Sequence, residues 1–214
     1  MSKKAVETNS RISSLFGAVA QVIVYLLALL LIWQAFLAVG FNEQIAAAGA
    51  SCITCLLCLV AYGVQRKSLH RDGPNTHLVM WCAAFAGGLC VAVLSYAFAR
   101  LTSFEQVVDL TAVNVVGYGF AAPIAEEALY RGIVLNRVEQ GYGPTFALVL
   151  SSALFAVAHM QPIRMVLAFA FGLLLGFVYQ KERSLPMVML MHVVANTFMF
   201  VIVFAIPESV GFLS

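Results

Sequence analysis

The stretch AAPIAEEALYRGIVL, residues 121–135, places two adjacent carboxylates, Glu126 and Glu127, and one guanidinium, Arg131, inside an otherwise apolar run. A charge at the centre of a bilayer costs roughly 2.5–3.5 kcal/mol even on permissive insertion scales. Whether these residues lie in a membrane therefore decides both fold and function. Composition answers the first part. Hydrophobic residues make up 62% of the 214 positions and charged residues 10%, against about 25% charged in a soluble domain. The chain reads as an all-α, polytopic transmembrane helical bundle, because a membrane-spanning backbone must satisfy its own hydrogen bonds.

Working outward from residues 121–135, apolar runs cover residues 15–39, 45–64, 78–99, 107–135, 145–159, 163–179 and 185–206. Most approach the ~20 residues of a spanning helix. This predicts seven helices, or eight if the run at 107–135 is two pieces. The first run follows Lys3, Lys4 and Arg11, but its 25 residues exceed the roughly 7–15 of a signal-peptide core, so it reads as a retained anchor. Alternating the polar loops puts Lys3, Lys4, Arg11, Arg66, Lys67, Arg71, Arg137, Lys181 and Arg183 on one side, and Arg100 and Arg164 on the other. By the positive-inside rule the N-terminal side is cytoplasmic, and the expected location is the plasma membrane. The net charge of +2 is scattered over these loops, so no nucleic-acid partner is expected.

Cys52, Cys55 and Cys58 recur at three-residue spacing, yet all five cysteines lie in apolar runs without a histidine or carboxylate near them in sequence. They read as small packing residues. Small residues such as Gly49, Ser51, Gly87, Gly88, Gly172 and Gly176 read as points of close helix approach. No repeat or low-complexity tract divides the chain. It reads as one integrated domain, with residues 1–105 free of recognisable motifs, residues 106–206 carrying them, and a turn-rich loop at residues 65–77 around Asp72-Gly73-Pro74-Asn75.

Within residues 107–135, Gly117, Gly119 and Pro123 predict a weak start, with a helix opening near Pro123. On that helix Glu127 faces Arg131 four residues on, in the favourable order of acid before base. Glu126 is rotated by about 100°. Its own i+4 neighbour is Tyr130, which can donate a hydrogen bond but cannot neutralise a charge, so Glu126 is the carboxylate left free for chemistry. Two later runs each carry a histidine with an i, i+4 companion: Phe155 with His159, and His192 with Asn196. A histidine alone on an apolar helix is usually a packing residue; three helices each presenting a polar group are harder to explain that way. At 1.5 Å per residue, Glu126 lies ~22 Å from the turn at Gly141 and His159 ~24 Å from Gly143, so the two are level. From Ser184, His192 is only ~12 Å up and Asn196 ~18 Å, which predicts that Asn196, rather than His192, is level with Glu126.

Glu126-Glu127-Ala128-Leu129-Tyr130-Arg131, Phe155 to His159, and His192 to Asn196 resemble the EExxxR, FxxxH and HxxxN motifs of the CAAX-prenyl protease and bacteriocin-processing (CPBP, Abi) family of intramembrane metalloproteases, in order and spacing. The stretches at residues 171–176 and 181–185 are similar to the family too, and Tyr130 stands where Phe is frequent. The resemblance implies an intramembrane endopeptidase acting on a membrane-associated protein or peptide. Catalytic roles would fall to Glu126, His159, His192 and Asn196, supported by Glu127, Arg131, Tyr130 and Phe155. A carboxylate in low dielectric suits general acid/base work, and His192 with Asn196 could hold a developing oxyanion. Zinc on Glu126, His159 and His192 is one reading. Water activated directly by glutamate and histidine is the other, and is favoured because the helix count sets His192 apart from His159. The chain lacks HExxH and a pair of membrane aspartates. A bacteriocin-immunity or membrane partner-binding protein without catalysis, or a proton- or metal-coupled transporter, are the alternative classes.

Overall fold

The computed structural model describes residues 3–69, 77–101 and 111–205, and among them only helices. Seven continuous helices follow in chain order: α1 (Lys3–Ala38), α2 (Glu43–Leu69), α3 (Leu78–Leu101), α4 (112–142), α5 (Pro144–Val157), α6 (Pro162–Glu182) and α7 (Leu185–Ala205). Residues 70–76, most of the turn-rich loop expected from sequence, and residues 102–110, which hold the expected boundary between residues 105 and 106, lie outside the described residues. The all-α bundle expected from composition is the fold.

Helix ends follow local chemistry. Asn42 Oδ1 accepts from Ile45 N at the start of α2, and Thr111 Oγ1 accepts from Asn114 N at the start of α4. Gly143, at φ 84°, takes the left-handed region that ends α4, and Pro144, which has no N–H, opens α5 at a position where that donor would go unpaired. Arg183, at φ 49°, ends α6.

Five helices are long and apolar enough to cross a membrane: Thr8–Ala38, Glu43–Leu69, Leu78–Leu101, Pro162–Glu182 and Leu185–Val203. These make the chain an integral membrane protein. They turn large apolar side chains outward, among them Phe16, Leu31, Leu56, Val60, Val79 and Leu94, as a bilayer-facing surface requires. The other two runs read as passes from sequence do not qualify. α5 has only 14 residues, and α4 carries Glu126, Glu127, Arg131, Arg137 and Glu139. α4 is instead the core of the bundle, with Ala125, Ala128, Tyr130, Val134, Leu135 and Val138 fully buried.

The expected interruption at Pro123 does not split α4. Residues Val115–Ala121 and Ala128–Leu135 are π-helical, and the first stretch hands over to α-helix at Ala122, just before Pro123. The Ala122 N–H reaches back five residues to Gly117 O. Pro123 has no N–H to offer the carbonyls four and five residues earlier, and side chains of α7 serve them instead. Asn196 Nδ2 donates to Tyr118 O at 3.0 Å and Thr197 Oγ1 to Gly119 O at 3.4 Å. Gly117 permits the same stretch to lie on α2, where an added β-carbon would stand 2.7 Å from Ala48 Cα.

One end of the bundle gathers the basic residues. Ser14 Oγ donates to Arg137 O, Arg137 Nη2 to Gln65 Oε1 at 2.6 Å, Gln140 Nε2 to Ser68 O at 2.9 Å, and Arg183 pairs with Glu139 through both carboxylate oxygens. The turn between α6 and α7 does not lie at the depth of Gly141–Gly143, as the helix count assumed. Leu185 packs on Gly132, where an added β-carbon would meet it at 3.4 Å. α7 thus starts inside the bundle, and the long Arg183 side chain spans the offset to Glu139.

Candidate active site

The inward start of α7 corrects the depth expected for His192. It stands level with the two glutamates, and Asn196, paired with Tyr118, lies one helical turn, about 6 Å, further along α7. The π-helical stretch Ala128–Leu135 adds to the shift, since more residues per turn mean less climb per residue.

Glu127 is the centre of the cluster. Its carboxylate, fully buried, accepts on Oε1 from Arg131 Nη1 at 2.9 Å and from His192 Nδ1 at 2.7 Å. Arg131 is fully buried as well; its Nη2 donates to Gly172 O at 3.0 Å, and its guanidinium lies 4.8 Å from the centroid of the Phe155 ring. The Glu127–Arg131 pair is the one read from the i, i+4 spacing. The Glu127–His192 bond was missed. Its signal is the arrangement itself, a carboxylate beside a histidine that then has one nitrogen fixed and the other free.

That free nitrogen, His192 Nε2, stands 3.7 Å from Glu126 Oε2. Glu126 keeps 20% of its side chain exposed, against 3% for His192. The two adjacent glutamates thus differ as expected, one locked between a guanidinium and an imidazole and one partly exposed. His159 falls just past the end of α5 rather than on it, in the turn that precedes Pro162. Its Nδ1 lies 2.9 Å from Phe155 O, which fixes that nitrogen as the donor and leaves Nε2 free. Aromatic edges hold the imidazoles: Phe155 meets His159 at 4.8 Å and His192 at 5.7 Å, and Phe171 meets His192 at 5.0 Å, all T-shaped. Phe171, read only as part of a family-like stretch, is thus a wall of the site.

Tyr130 departs from expectation. Its hydroxyl is buried and has no hydrogen-bond partner among the described residues, Glu126 included; the ring packs edge-on against Phe155 at 5.3 Å. Cys55 and Cys58, on α2, are buried in the hydrophobic core, as small packing residues.

Glu126, His159, His192 and Asn196 line one cavity of about 690 Å³. It runs past Asn114 to Glu43 and Arg164, toward the end of the bundle opposite the basic one. As a zinc site the three expected ligands have suitable atoms, a carboxylate and two imidazole Nε2 with their Nδ1 fixed. They are not drawn together, however. Among the described residues no three His, Cys, Asp or Glu side chains gather around one point, as ligands at roughly 2.0–2.2 Å must. The residues as placed do not fit the metal.

The bundle thus sets a carboxylate and two imidazoles on one cavity. Residues 108–198, which hold all the site residues read from sequence, are similar to the family described as type II CAAX prenyl endopeptidase Rce1-like. The chain is also 22% identical over 165 residues to a Bacillus subtilis (strain 168) protein named "Putative membrane peptidase YdiL", a match covering 69% of this chain and 67% of that one. No solved structure matches.

The cluster predicts that folding and chemistry separate. Arg131→Ala leaves Glu127 buried without its guanidinium, a loss of about 3–5 kcal/mol, and should lower the folded protein recovered from membranes. Glu126→Gln, at a part-exposed group, should leave recovery near wild type. Fluorescence-detected size-exclusion profiles check this; equal losses in both variants would make the pair of glutamates a single structural unit.

Proposed function

We propose that the chain is an endopeptidase that hydrolyses a peptide bond of a membrane-associated protein or peptide inside its own cavity, with water activated by Glu126. The observation that carries this reading is the 3.7 Å approach of His192 Nε2 to Glu126 Oε2 with Nδ1 of the same ring held by Glu127. That separation exceeds a direct hydrogen bond, and one oxygen atom can touch both groups. Glu126 takes a proton from water as its oxygen attacks the carbonyl carbon. The C–N bond then breaks, and the proton passes to the leaving nitrogen. His159, through Nε2, orients the water. His192, when protonated, turns its Nε2–H toward the carbonyl oxygen as charge develops there, balanced by Glu127 behind it.

Asn196 has its Nδ2 committed to Tyr118 O. Its part in this reading is to fix the helix that carries the glutamates. Glu127, Arg131 and Phe155 hold His192 and α6 in place. Zinc stays outside the mechanism because of the spread of the donors.

The substrate class follows from family and surroundings together. A family described as CAAX prenyl endopeptidases and a cavity with Phe155, Phe171 and Phe200 in its walls favour a peptide with an apolar or lipidated segment. The basic end of the bundle favours a cytoplasmic N-terminus in the plasma membrane, and the cavity then leads to the outer face.

Comparing the termini of membrane proteins between cells carrying wild-type chain and cells carrying Glu126→Gln should reveal at least one terminus present only with the wild type. No difference would leave a non-catalytic immunity or partner-binding role. Purified active protein should keep its turnover in a zinc-selective chelator; activity lost on chelation and restored by zinc would bring the metal into the site. In a cysteine-free background, Lys181→Cys should be labelled by an impermeant maleimide only after the cells are opened. Labelling of intact cells would reverse the orientation and turn the cavity toward the cytoplasm.

A further inference from the structure

Helix α1 lies outside the segment that matches the family, yet it delivers a side chain to the cavity. Tyr25 lines the same space as Glu126, His159 and His192, and is 8% exposed. Its depth follows from helix register. α1 and α4 run antiparallel, with Arg11 against Gly141 and Ser14 Oγ donating to Arg137 O. From that hydrogen bond Tyr25 is eleven residues onward (25 − 14) and Glu126 eleven residues back (137 − 126), about 16 Å along α1 and somewhat less along α4, where residues 128–135 are π-helical. The two side chains therefore lie at similar depth, on the wall of one cavity.

The phenol is not used by the fold. No hydrogen bond joins Tyr25 to any of the described residues of the cluster, neither to Glu126 nor to Tyr130, whose own buried hydroxyl is unpartnered. Asn196, the amide a family-like site would use beside His192 for the oxyanion, has Nδ2 bonded to Tyr118 O one turn, about 6 Å, further along α7. Tyr25 brings a neutral O–H donor to the wall of the cavity, as Tyr118 does further along it.

We propose that Tyr25 is a catalytic residue, its hydroxyl donating a hydrogen bond to the carbonyl oxygen of the scissile peptide bond as that oxygen becomes negative. No proton is transferred in this contact. The hydrogen stays on the phenol, the proton taken by Glu126 goes to the leaving nitrogen, and the tetrahedral oxyanion collapses to the new carboxyl group. The inference rests on the peptidase reading of the same cavity.

The test uses full-length protein in liposomes and, as probe, a synthetic peptide spanning the cleavage site that depends on Glu126 in the terminus comparison. Tyr25→Phe keeps the ring and removes the donor, and should lower kcat by about 10²–10³-fold with KM and protein recovery close to wild type. A tyrosine with two ring fluorines at position 25 ionises at lower pH, and should move the alkaline limb of kcat down by the same direction, a response that a packing role does not give. Wild-type kcat in Tyr25→Phe with Glu126→Gln inactive would overturn the role of Tyr25 and leave the peptidase standing. So would a loss of turnover in Tyr25→Phe that matches its loss of folded protein, with no shift of the alkaline limb. Absence of any Glu126-dependent terminus would overturn both together.

Discussion

A carboxylate with no exposure to solvent holds this bundle together. Glu127 accepts from a guanidinium of its own helix and an imidazole of α7 on the same oxygen, and that guanidinium continues to the carbonyl of Gly172 on α6. A buried charge is tolerated only where partners meet it. The bond therefore fixes three things at once: the rotation of α4, the depth of α7, and the edge that α6 presents. Alternatives in which α7 starts at the surface would leave Glu127 with Arg131 alone and without the imidazole. The same bond orients His192, so the interaction that sets the packing also sets which imidazole nitrogen faces the cavity.

The stretch before the glutamates shows how an irregular backbone survives in such a setting. A proline in a helix interior leaves carbonyls unserved, and in an apolar interior that is costly. Here a π-helical stretch ends at Ala121, just before Pro123, and Asn196 and Thr197 of α7 donate to Tyr118 and Gly119. α7 thus grips α4 twice, once through His192 at the carboxylates and once through Asn196 beyond them. The HxxxN spacing is the distance between these grips along one helix face. An asparagine at this place need not be explained by chemistry on a substrate.

Composition and hydrophobic runs were enough to read the all-α membrane bundle, because charge depletion and run length are properties of the sequence itself. The Glu127–Arg131 pair was legible for a similar reason, being contained in one helix at i, i+4. What escaped depended on how helices meet. The level of His192 could not be had by counting from Ser184, since the turn at 183–184 lies inside the bundle and only the packing of Leu185 on Gly132 reveals it. Tyr130 was matched to Glu126 by α-helical spacing, and the residues that follow Glu127 are π-helical. The Glu127–His192 bond joins positions 65 apart. Counting spanning helices failed for α4 and α5 on a different ground: a helix sheathed by others need not be apolar or long.

That sheath has a consequence for the half of the chain without motifs. α4 is polar enough at Glu126, Glu127 and Arg131 that lipid cannot be its neighbour, so α1 and α2 must cover the side that α5, α6 and α7 leave open. Ala18, Val22 and Tyr25 of α1 and Cys55 and Cys58 of α2 are buried in this role. Once α1 is required as a wall, whatever it carries at the depth of Glu126 becomes part of the cavity. Its register there is held by the hydrogen bonds of the basic end, Ser14 to Arg137 and Gln21 to Gln65 to Arg137. The polar end and the cavity are thus linked through the rigid turns of α1 and α4 between them, and the motif-bearing segment is not by itself a closed site.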